Sequence, residues 1–167
     1  MRESFFLLFW VLSGMMFLVR SSDLRGQNVP SDNQSLETAQ GSGMAMYAEV
    51  NGYPGPKHVL DLQEKLNLTD EQLKDIESIH DEMREQAVAK GQTIIKVEQS
   101  LNDLFATGKA SEERVKSLST TIGRLRGELR AIHLVAHMQA REILSKEQIA
   151  AYNRLRRRAD AGNHGSR

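Results

Sequence analysis

Three histidines fall where they could share one ligand. His133 and His137 stand four residues apart, so on a helix both imidazoles face the same side. His80 precedes Gly108 by 28 residues (108 − 80), and a chain folding back at that glycine would set His80 level with position 136, since each arm rises about 1.5 Å per residue. Three imidazole nitrogens meeting at about 2.0–2.1 Å make a zinc set, and nickel, cobalt or copper would accept the same donors. Met83 and Met138 lie within a turn and would add a thioether that favours copper, while Glu142 and Glu82 are alternative oxygen donors. The same residues also have a purely structural reading. On that reading His80 is a core histidine bonded to a neighbour, and His133 and His137 sit at the flank and border of their helix's apolar stripe, where they need not point inward.

Such a site needs two long helices side by side, and the sequence supplies their boundaries. "LNLTDEQL" begins at Leu66 and "EILSKEQI" at Glu142. In each, a leucine (Leu68, Leu144) precedes a hydroxyl residue (Thr69, Ser145) with a glutamine three further on (Gln72, Gln148). That is a capping box: the hydroxyl accepts from the glutamine's backbone N–H, and the glutamine side chain reaches back to the cap's own N–H. Such a cap is worth about 1 kcal/mol. Behind the first box, Leu73, Ile76, Met83, Ala87, Ile94, Val97, Leu101 and Leu104 recur in steps of three and four, with His80 and Lys90 filling the gaps. Gly108 stands where a left-handed C-cap belongs, and Ser111 with Glu112 and Glu113 opens a second arm. That arm repeats the spacing through Val115, Leu118, Ile122, Leu125, Leu129, Ile132, Ala136, Ala140 and Ile143. The expected fold is all-α: a long antiparallel helical hairpin flanked by two short helices, His58 to Leu66 before it and one through Ile149, Tyr152 and Leu155 after it. Both boxes then lie at one end of the hairpin. Two arms alone leave an apolar seam open, so a homodimer is expected to cover it.

The chain has 167 residues, room for one domain. Its formal charge is zero, which gives a nucleic acid no reason to bind, and it has no cysteine for thiol chemistry, thiolate zinc sites or disulfides. Residues 1–20 carry an apolar run from Phe5 to Val19 between Arg2 and Arg20, the length of a signal-peptide core and short for a membrane span. They read as a signal peptide or an N-terminal membrane anchor, placing the rest of the chain outside the cytoplasm. Residues 21–56 are rich in Ser, Asn, Gln, Gly and Pro without period and read as a flexible polar linker. Residues 57–158 form the hairpin domain, and 159–167 a disordered tail.

Paired LTxxQ-type boxes bracketing a helical hairpin, behind an export segment in a chain without cysteine, resemble the Spy/CpxP superfamily. That superfamily includes periplasmic stress chaperones, zinc-resistance-associated proteins and membrane-anchored heavy-metal sensors. The resemblance implies an all-helical periplasmic protein that packs as a dimer or larger ring. It also implies a ligand role at His80, which stands twelve residues after the leucine of the first box, where the sensors carry an acidic ligand. His133 and His137 match the sensors' spacing of a histidine and a methionine on the second arm but fall about one turn early. His58 is one place out of step with their first histidine pair and is followed by Leu62 rather than a second histidine.

No Ser/His/Asp constellation, phosphate-binding glycine loop or carboxylate pair in a cleft is visible, which argues against catalysis. Two readings stand. One is a metal-binding sensor or heavy-metal-resistance protein that couples ligation between the arms to conformation or to a membrane-bound signalling partner. The other is a metal-independent stress chaperone, with Arg124, Arg126, Arg130 and Arg141 offering a basic face to unfolded client proteins. The arginine run near the C-terminus reads as a helix end whose cations suit the dipole.

Overall fold

Helices begin where the boxes place them. In the computed structural model, which describes residues 32–38 and 43–164, Thr69 Oγ1 accepts from the Gln72 N–H at 3.2 Å and Gln72 Oε1 accepts from the Thr69 N–H at 3.1 Å. Ser145 and Gln148 repeat the exchange at 3.2 and 2.9 Å. The helices, in order, are α1 (Asp32–Thr38), α2 (Met46–Val50), α3 (Pro56–Asp61), α4 (Gln63–Leu66), α5 (Asp70–Ala106), α6 (Glu112–Ile143) and α7 (Lys146–His164). The apolar run Phe5–Val19 lies outside the described residues.

The turn between the long arms is made by Gly108 at φ 66°. Lys109 N–H donates to the Leu104 carbonyl and Gly108 N–H to the Phe105 carbonyl, a Schellman closure that satisfies two orphan carbonyls of α5. Ser111 then caps α6. Across the arms Lys90 pairs with Glu128 at 2.7 Å and Arg126 with Glu98 at 2.9 Å. The first pair lies 18 residues before Gly108 and 20 after it, close to the level matching the turn predicts.

At the other end the two boxes meet each other. Gln72 Nε2 donates to Gln148 Oε1 and Gln148 Nε2 donates to Gln72 Oε1, both at 2.9 Å. Gln72 also donates to the Ile143 carbonyl at 2.9 Å. Each glutamine therefore caps its own helix and clasps the other. Beneath them Val59, Leu66, Ile76, Ala140, Leu144 and Tyr152 form the basal core.

Three expectations change. The segment read as a flexible linker contains α1 and α2, and Leu36 of α1 is 1% exposed, packed with Ala87, Ile94, Leu125 and Leu129. Its approach explains a buried glycine: a Cβ on Gly91 would lie 2.2 Å from the Leu36 carbonyl oxygen. Part of the hairpin seam is thus covered by the chain itself. The single short helix expected from His58 to Leu66 is two, broken at Leu62, and the second ends at Asn67 in the left-handed region at φ 49°. Finally, α7 continues through His164, past the boundary placed at 158, because nothing in "RLRRRADAGNH" breaks a helix outright.

Candidate metal centre

Beside the basal core, α3, α5 and α6 and the segment before α3 line a half-open cavity of about 610 Å³. His58, His80, His133, His137, Glu49 and Met83 all face it. The three histidines expected to converge therefore share one cavity, joined by a fourth.

His133 and His137 are turned inward, at 5% and 6% exposure, rather than lying on a solvated border. The reason is the third layer. The chain before α3 runs over the α6 face, and His137 lies so near Gly55 that a Cβ there would sit 2.8 Å from its Cε1 and 2.9 Å from its Nε2.

Every one of the four imidazoles has Nδ1 against an oxygen. His58 Nδ1 lies 2.6 Å from Glu49 Oε1, with the Tyr152 hydroxyl at 3.4 Å. His80 Nδ1 is 3.2 Å from Asp81 Oδ1, His133 Nδ1 3.0 Å from the Leu129 carbonyl, and His137 Nδ1 2.8 Å from the Tyr53 carbonyl. A carbonyl or carboxylate oxygen can only accept, so Nδ1 carries the proton, and in the neutral ring the lone pair is at Nε2. Backbone carbonyls and carboxylates holding one ring nitrogen are the usual outer partners of histidines that bind a metal through the other. The donor set fits a transition-metal cation in that respect. Among the described residues, however, no three His, Asp or Glu side chains stand in ligating geometry.

Electrostatics divide the histidines. Burial pushes His137 below the ordinary imidazole value, against the opposing pull of the Tyr53 carbonyl and Glu49. This keeps the ring neutral and able to donate its lone pair. His58 is pushed up by its bond to Glu49, and Glu49 is pushed down chiefly by the same bond, with Arg156 Nη2 3.5 Å away.

The remaining candidates fall elsewhere. Met138 is 53% exposed and, like Glu142, does not line the cavity. Glu82 accepts from Gln86 and faces a groove on the other side of the hairpin. Each arginine of the supposed basic face has an intramolecular partner. Arg124 pairs with Glu128 and Arg126 with Glu98, Arg130 lies over the Tyr47 ring, and Arg141 donates to the Gly52 carbonyl and lies over the Tyr53 ring. Glu49 sits in a stretch without period and His58 is out of step with the motif spacing, so neither is marked by the sequence. A carboxylate nine residues before a histidine gives no helical signal that would link them.

These features define a helical hairpin closed by paired capping boxes, with a histidine-lined cavity on one flank. The model of the LTXXQ motif family matches residues 56–156, and the chain belongs to that family, within the Spy/CpxP-like superfamily. Proteins of this superfamily are generally periplasmic. Comparison with curated proteins and with solved structures finds no match. No helix among the described residues is long and apolar enough to cross a membrane.

Proposed function

We propose that this is a periplasmic, non-enzymatic metal-binding protein of the sensor or heavy-metal-resistance kind, exported or tethered by its N-terminal apolar segment. The observation that supports it is the common posture of His58, His80, His133 and His137, each with Nδ1 held by an oxygen around one cavity. Zinc, nickel, cobalt or copper would be bound through Nε2 atoms, with Met83 as a thioether neighbour. Ligation through rings carried by α3, α5 and α6 would couple those helices and change the surface shown to a dimer mate or a membrane-bound signalling partner.

A chaperone role has one observation in its favour, the groove on the opposite face lined by Ile79, Met83, Ile132 and Val135, beside exposed Met138. A second copy would use the same groove. The arginines of the basic face each have an intramolecular partner, which a client would compete with. The deciding experiment is calorimetric titration of the untagged full chain in detergent with the four metals, beside a His80→Ala/His137→Ala variant. Micromolar or tighter binding that the variant loses supports the metal reading. Equal heats from both proteins sink it, and suppression of client aggregation then becomes the assay.

A further inference from the structure

The arginine run of α7 loses the explanation that its sequence suggests. Cations favour a helix dipole only within the last turn, but α7 runs on to His164, and Arg158 stands six residues short of that end (164 − 158). Arg154, Arg157 and Arg158 are spaced three and four apart, so they share one face of the helix, and all are exposed. None of the three has a hydrogen bond or ion pair to another described residue, whereas Arg156, between them, reaches Glu49 at 3.5 Å. Like charges at this spacing repel, and no described side chain offsets that cost. The opposite face of α7 is already used: Tyr152 is in the basal core, and Ile149 and Leu155 pack against it. The run also polarises the molecule. Residues 154–167 hold five arginines and one aspartate, a net charge of +4, so the remainder of this neutral chain carries −4.

We propose that the outer face of α7 docks on a bilayer bearing anionic phospholipid headgroups, with Arg154, Arg157 and Arg158 as the phosphate contacts. The proposal is independent of whether the histidine cavity binds an ion. A guanidinium is a planar fork that takes phosphate oxygens two at a time. Three of them on the convex side of a helix suit a plane of many phosphates better than one shaped ligand. Proteins of this superfamily are generally periplasmic, which removes nucleic acid as the polyanion. The charge asymmetry adds orientation, since an anionic surface attracts the α7 end and repels the remainder of the chain. Because the large apolar residues beside the run are spent on the basal core, the helix rests among the headgroups without inserting. Docking is then electrostatic throughout. A basic residue beside an anionic leaflet contributes about fivefold, and three together about a hundredfold.

The chain has no cysteine, so a fluorophore attached through Ala150→Cys, an exposed position on the same face of α7, reports on this surface alone. The full chain is placed in nanodiscs of phosphatidylcholine, with or without phosphatidylglycerol, each carrying a lipid with a nitroxide on its headgroup. Quenching is expected only with phosphatidylglycerol, and it should vanish at about 1 M salt, where the Debye length is about 3 Å. Arg154→Gln/Arg157→Gln/Arg158→Gln should lower the ratio of docked to free protein about a hundredfold. The matched change at the hairpin tip, Lys109→Gln/Arg114→Gln/Lys116→Gln, removes the same charge and should leave quenching in place. Equal quenching on both lipids, or none on either, overturns the proposal. So does an equal loss from the tip variant, which would make net charge the cause. A response to an added acidic polypeptide in place of phosphatidylglycerol would assign the face to a protein partner and overturn the lipid assignment. The lipid and salt dependence of the labelled parent chain decides the matter even where the arginine variant misfolds.

Discussion

The imidazole of His137 occupies the space that a side chain on residue 55 would need. Gly55 has φ −73° and ψ 145°, extended backbone open to any residue, so its lack of a side chain serves the ring beside it and not a turn. Gly55→Ala is expected to fold, to push the His137 ring off the Tyr53 carbonyl, and to weaken zinc binding about tenfold or more, the usual cost of disturbing an outer partner. Calorimetry reads the affinity and thermal unfolding reports the fold. Unchanged affinity would place the metal elsewhere.

The Gln72–Gln148 clasp makes a second prediction. Replacing either glutamine by alanine removes half of a capping box and strands a partner amide, at about 2 kcal/mol. Since each change already breaks the mutual pair, the double variant should cost less than the two singles together, by about 1 kcal/mol. Urea unfolding of the four proteins measures it. Strictly additive costs would mean that the boxes act independently.

Gly91→Ala offers a prediction of sign. In a bare helix the change would stabilise by about 1 kcal/mol. Here the new methyl meets the Leu36 backbone, and expelling Leu36 exposes a side chain whose burial is worth about 2 kcal/mol. The midpoint of thermal unfolding should fall and the amides of α1 should lose exchange protection, with the hairpin still helical by circular dichroism. A raised midpoint would show that α1 does not dock on α5.

The metal-free chain should answer pH through two opposed contributions. His58 lies above the ordinary imidazole value of about 6.5 because Glu49 holds it, so its contribution is complete below that value and is lost as pH rises through the raised one. Glu49, pushed down by the same bond, loses its contribution only as pH falls through its own lowered value. His137, facing Glu49, His58 and His133 and pushed down by burial, works against them. The unfolded chain takes up that proton first, so stability drops as pH falls from the ordinary value through the lowered one. Glu49→Gln should therefore lower the unfolding midpoint more below the ordinary imidazole value than at a pH above the raised value of His58. Equal losses at both values would show that folding places no charge on His58.

What could be read from the sequence was what short-range chemistry decides. A threonine and a glutamine three apart, a glycine after the last apolar residue, and steps of three and four fix helix ends and the turn without reference to distant residues. Counting from Gly108 was enough to bring His80, His133 and His137 to one level. Which way they face was not available, because the wheel of a two-helix stripe ignores a third layer. Leu36 is the only large aliphatic residue of α1, so the sequence around it shows no period and its burial depends on a groove made elsewhere. Met138 and Glu142 fall outside the cavity for a related reason: residue number gives position along a helix axis but not the direction in which a side chain leaves it. The Gln72–Gln148 bond spans a separation of 76 residues, and no local rule points across that distance.

That separation has a consequence for a chain without cysteine. A covalent bridge between the same positions would shrink the unfolded ensemble, but its survival would depend on the oxidants and thiols around it. Two primary amides closing the loop are indifferent to redox chemistry. They form and part as fast as the helices they cap, so the base of the hairpin can come undone under stress and reset without an enzyme to reshuffle it.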